Sequence, residues 1–135
     1  MRHFARLAAF LAVAVPAAAQ DAPFTTAAQV RPILDATRGS WVALREYGGQ
    51  DLVYVTQVMS WRCGLMGLRV GINGGEPQDW PMPDCDPTNP NVIPDDAVIY
   101  QGFPVGSIRS LEVELIYDDL TQDSETFARA AVLMP

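Results

Sequence analysis

Six prolines, at 77, 81, 83, 87, 90 and 94, fall within the nineteen residues from Glu76 to Pro94. Proline fixes φ and donates no backbone hydrogen bond, so this stretch cannot be a helix or a central strand. It reads as a long ordered loop over 76–96. A loop of that length is uncommon unless it is functional or disordered. Cys85 lies inside it, and Cys63 is the only other cysteine. In an exported chain such a pair reads as a disulfide, here Cys63–Cys85. The bridge closes a loop of about 22 residues, which contributes about 3 kcal/mol by restricting the unfolded chain. The bridge argues for order in the loop.

Export is expected from the first nineteen residues. Arg2 and Arg6 form a positive start, Leu7 to Val15 is an uncharged apolar run, and Ala17-Ala18-Ala19 supplies small residues for cleavage. The run falls short of the roughly 20 apolar residues that span a bilayer. Residues 1–19 therefore read as a cleaved signal peptide and 20–135 as one exported domain, periplasmic or secreted. No stable membrane insertion is expected after cleavage.

Removal of 1–19 would also remove His3, the only histidine. The chain has no lysine; all nine basic residues are arginine. A domain without His or Lys cannot build a Ser-His-Asp triad, a Cys-His dyad, a Schiff-base lysine, a P-loop or an imidazole metal site. No catalytic residue and no cofactor is assigned. Seven arginines would face 16 acids. That balance disfavours nucleic acid and anionic membranes; a charged protein partner would be basic, but keeping an exported chain soluble is the plainer expectation.

The remaining pattern is mainly β. Thr26 with Gln29 forms a capping box, and Val30, Ile33 and Leu34 follow at helical spacing. One helix is expected over 26–38, with Pro32 inside it and Gly39 as a left-handed end. Ser40–Tyr47 and Asp51–Trp61 flank a Gly48-Gly49 turn and read as a hairpin. Leu65–Ile72 reads as a strand closed by Asn73-Gly74, and Gly64 and Gly67 suggest a bulge or a close approach. Ala97–Phe103, Ser107–Tyr117 and Asp123–Met134 complete about six strands. Leu111, Val113, Leu115 and Tyr117 alternate with Glu112 and Glu114. The expected fold is a small antiparallel β-sandwich with one N-terminal helix. The alternative is an α+β layer with the helix on one face of a curved sheet.

Trp61, Arg62, Trp80 and Tyr54 form the candidate binding set, because the disulfide draws Trp80 toward Trp61 and exposed aromatics can anchor a partner. The competing expectation is a core tryptophan packed on the bridge. Asp84, Asp86 and Asp95 fall at positions 1, 3 and 12 of a calcium-loop pattern. Asn89 replaces its glycine, however, and the prolines forbid flanking helices, so turn capping is the plainer expectation. Glu112 with Glu114, and the acids from Asp118 to Glu125, read as a solvated face rather than an acid–base pair. Met59, Met66 and Met82 read as packing rather than a thioether metal site. The functional expectation is a small acidic binding or accessory protein acting through the tethered loop and its aromatics. The alternatives are a carboxylate-dependent hydrolase and a structural envelope component.

Overall fold

A computed structural model describes residues 8–15 and 22–135. The expected leader lies partly outside the described residues; its 8–15 stretch is exposed and forms no helix or strand. Among the described residues, no helix is long and apolar enough to cross a membrane.

The architecture is mainly β: two antiparallel sheets and one main helix around a shared core. Helix α1 spans Ala27–Ala36. Its capping box forms as the sequence predicts, with the Thr26 hydroxyl accepting from the Gln29 N–H and the Gln29 side chain accepting from the Thr26 N–H. The helix runs through Pro32. Its end differs from expectation. Thr37 closes it with φ −111°, a 3₁₀ turn follows at Arg38–Ser40, and Gly39 does not take the left-handed form. The Trp41 indole N–H, buried, donates to Leu34 O and so fixes the chain as it leaves the helix.

The first sheet has the order β1-β2-β5, with β1 at Ala43–Tyr47, β2 at Gln50–Tyr54 and β5 at Tyr100–Pro104. Tyr47 pairs with Gln50, leaving a two-residue turn in which Gly48 and Gly49 both have positive φ. A side chain is disfavoured at both positions, so this turn needs glycine. The expected long second strand stops at Tyr54, and helix α2 occupies Thr56–Ser60. Val55, Val58 and Met59, all fully buried, stand at i, i+3 and i+4, a helical spacing that the β-rich composition conceals.

The second sheet has the order β4-β3-β6-β7: β3 at Leu65–Ile72, β4 at Gln78–Asp79, β6 at Ser110–Tyr117 and β7 at Gln122–Ala128. Among the described residues there are thus seven strands where about six are expected. β4 is a two-residue edge strand inside the Pro-rich loop. The last expected strand is shorter, because helix α3 takes Arg129–Val132. β6 alternates as predicted, with Leu111, Val113, Leu115 and Tyr117 buried. Asn73 fixes the start of β6: its side-chain oxygen accepts from the Arg109 and Ser110 N–H groups, and its amide donates to Ser107 O.

Candidate functional site

The Pro-rich loop is fastened at one short turn. The segment Arg62–Gly64 forms a 3₁₀ turn between α2 and β3, and it carries two anchors side by side. The Cys63–Cys85 disulfide is present. The Arg62 guanidinium, 3% exposed, donates only to main-chain carbonyls: Met59 O at 3.2 Å, Val92 O at 2.9 Å, Pro83 O at 3.2 Å and Asp84 O at 3.2 Å. A rigid planar fork suits this task, since its donors are fixed in direction. The Asn91 side-chain amide adds a bond to Ser60 O. At the start of the loop, the Trp80 indole N–H donates to Val98 O at 2.6 Å.

Gly64 explains where the turn sits. A β-carbon there would come within 2.2 Å of Val30 Cγ2 and 2.7 Å of Thr26 O. The turn therefore lies hard against the first turn of α1, as the glycine suggests from sequence. Gly67 serves the expected bulge: the ladder between β3 and β6 passes from Leu65 directly to Gly67, leaving Met66 as the extra residue.

An open cleft of about 440 Å³ lies between the first half of β3 and the departing loop. Leu65, Met66 and Gly67 form one wall; Met82, Pro83 and Asp84 form the other. Arg62, Asp79, Trp80 and Ile116 also border it. Met66 is 63% exposed.

The candidate aromatic set is divided among different environments. Trp80 is 5% exposed and belongs to the core. Arg62 is the loop clamp. Trp61 is partly buried and meets Phe24 edge-to-face at 5.2 Å. Tyr54 stacks at 5.2 Å on Tyr100, its cross-strand neighbour in the first sheet. Only Arg62 and Trp80 border the cleft.

The calcium pattern is not assembled. Among the described residues, no group of three or more His, Cys, Asp or Glu side chains could hold a metal ion. The Asp86 carboxylate instead accepts from the Thr88 hydroxyl and N–H and from Asn89, which holds it below the usual carboxylate range. Asp84 contributes its carbonyl to Arg62. Of the methionines, Met59 is in the core, while Met66 and Met82 border the cleft.

The hairpin acids are largely engaged rather than merely solvated. Asp123 and Glu125 stand opposite Leu115 and Val113, on the core side of the edge strand, and both pair with Arg38. The Asp119 carboxylate accepts from the Thr121 hydroxyl and from Arg31, the latter at 2.7 Å, and these hold it down to about 2. Asp118 accepts from the Ala27 N–H at the start of α1. On the outer face, Glu114 pairs with Arg69 at 3.0 Å.

One buried carboxylate is not foreseen from the sequence. Asp51 is fully buried and accepts from the Gly106 and Ile108 N–H groups and from both terminal nitrogens of Arg129. Its strand position was the available signal: two residues before buried Val53, it shares the inward face. Every donor around it is satisfied by structure, so the group serves as a tie between elements. The chain matches no known family model, no curated protein and no solved structure.

Proposed function

We propose that the protein is an exported, non-catalytic binding protein that captures a basic protein partner through its tethered loop. The observation that carries this reading is the charge of the loop region. Between Arg69 and Arg109 the chain has six carboxylates, at 76, 79, 84, 86, 95 and 96, and no basic residue. Among the described residues five of these make no salt bridge, and Asp79 reaches Arg69 at 3.3 Å. Held on a rigid loop, such a surface steers a cationic partner and loses little entropy on binding.

Export is supported by the leader-like first nineteen residues and by the disulfide, which suits an oxidising compartment such as the periplasm or the extracellular space. A binding role is favoured over hydrolysis by the engagement of Asp51, Asp119, Asp123 and Glu125 with arginines. A carboxylate used as an acid needs the opposite environment, one that raises its pKa.

The test compares the exported chain with a variant in which Asp84, Asp86, Asp95 and Asp96 are changed to Asn. Both are cross-linked in the host envelope at low and high salt, and captured proteins are identified by mass spectrometry. A basic partner recovered by the parent at low salt, and lost both at high salt and with the variant, is the expected result. Recovery indifferent to salt and to the four substitutions overturns the proposal.

A further inference from the structure

The cleft has a backbone explanation that points to the shape of its occupant. β4 pairs with β3 at only two positions, Arg69 with Asp79 and Val70 with Gln78. One further bond, from the Trp80 N–H to Leu68 O at 2.8 Å, extends the ladder. Continued in register, the next step would set Met82 opposite Met66. Pro81 and Pro83 flank Met82 and lack the N–H a strand requires, and no backbone bond joins Met82 to β3. The loop therefore peels away and is caught over the next three residues, Pro83 and Asp84 by Arg62 and Cys85 by the disulfide. What remains is a slot along the side of β3 from Leu65 to Gly67, about 10 Å of strand at roughly 3.3 Å per residue. On the other side of β3, the ladder to β6 skips Met66.

We propose that this slot receives an extended basic peptide segment of the partner, which adds beside β3 at Leu65–Gly67 and directs a cationic side chain toward Asp79 and Asp84. Strand addition draws its affinity from main-chain hydrogen bonds and its selectivity from alternate side chains. Both selective features border the slot. Asp79 and Asp84 are exposed carboxylates, and Met66 and Met82 offer thioether side chains that adapt to varied apolar shapes. The bulge at Met66 and the two prolines are devices that guard sheet edges against indiscriminate pairing, so a segment must fit between β3 and the 82–84 wall. The inference rests on the preceding section for the sign of the partner's charge; the strand-like docking stands on the β3–β4 geometry.

The test is a titration of isotopically labelled protein with a short synthetic peptide alternating arginine and valine, followed through backbone amide signals. Two further peptides serve as comparisons: one alternating glutamate and valine, and the arginine peptide N-methylated at alternate amides. The expected result is shifts confined to Leu65–Gly67 and the 79–85 wall. Affinity falls at least about tenfold, the equivalent of about 1.4 kcal/mol, on N-methylation and in an Asp79→Asn, Asp84→Asn double variant. Both positions are exposed, so the variant folds. Equal binding of the N-methylated peptide overturns strand addition and leaves the acidic-loop reading standing. Shifts on another surface, or no binding of the arginine peptide while a basic protein is still captured through the loop, overturn the assignment of the slot. Failure of both peptide and protein to bind overturns both readings.

Discussion

Arg129 grips Asp51 with both terminal nitrogens, at 2.7 and 3.2 Å, across 78 residues of sequence. The same guanidinium donates to Ile108 O and reaches Glu46 at the surface. One ion pair thus joins β2, the β5–β6 connection and the start of α3. Arg129 and the two backbone N–H groups hold the Asp51 carboxyl down to about 2, against burial, which opposes them.

The acid stability of the protein should follow from this pair. A carboxylate whose pKa is depressed in the folded state stabilises it fully above the ordinary value near 3.8 and progressively less as pH falls toward about 2. The difference corresponds to about 2 kcal/mol. Thermal melts of the parent should drop across that window, and an Asp51→Asn variant should start lower at neutral pH and fall less. Asp51→Ala leaves Arg129 without its buried partner and should cost about 3–5 kcal/mol.

Gly64→Ala and Gly39→Ala should have opposite outcomes. At Gly64 the added carbon meets Val30 and the Thr26 carbonyl well inside contact distance, and overpacking of this kind costs about 1–3 kcal/mol. At Gly39 nothing lies within 4 Å and φ is ordinary. Alanine there should be neutral or stabilise by up to about 1 kcal/mol by restricting the unfolded chain. Chemical denaturation of both variants measures the contrast.

The two loop anchors should be separable. Replacing both cysteines by serine should lower global stability by about 3 kcal/mol, yet the loop remains held by Arg62. Arg62→Met removes the carbonyl clamp while leaving the bridge. Limited proteolysis with an enzyme specific for acidic residues should cut within 84–96 faster in Arg62→Met than in the serine variant. The reverse order would mean that the disulfide alone holds the loop.

Tyr117→Phe should not destabilise the fold. The Tyr117 hydroxyl is buried and makes no hydrogen bond among the described residues, and burial pushes its pKa up to about 12. An unsatisfied buried hydroxyl costs about 1–3 kcal/mol, and the ring beneath Arg31, 4.5 Å from its centroid, is kept in phenylalanine. A rise in melting temperature is expected; a fall would imply a partner for the hydroxyl.

What could be read from the sequence was local. The capping box at Thr26 and Gln29, the turns at Gly48-Gly49 and Asn73-Gly74, the alternation from Leu111 to Tyr117 and the cysteine pairing each follow from residues within reach of one another or from a single possible connectivity. α2 is hidden because Val55 and Val58 are β-branched and favour strand, while Val55, Val58 and Met59 supply only a single helical repeat. Trp61 and Trp80 sit on either side of the bridged turn, so proximity in sequence to the cysteines did not reveal that one belongs to the core and the other to Phe24. The role of Asp51 is not legible because a carboxylate beside a glycine turn resembles surface, while its partner lies in a helix that no local pattern announces. The slot beside β3 arises from where β4 stops, which only the register determines.

The contact between Gly64 and Val30 ties distant parts of the molecule in time as well as in space. The turn that carries both loop anchors rests on α1, so a motion that displaces this turn loosens the helix beneath it. Amide protons of Val30 and Leu34 and those around Cys85 should therefore exchange with solvent as one cooperative unit. An occupant of the slot would then slow exchange in the helix, on residues it never touches.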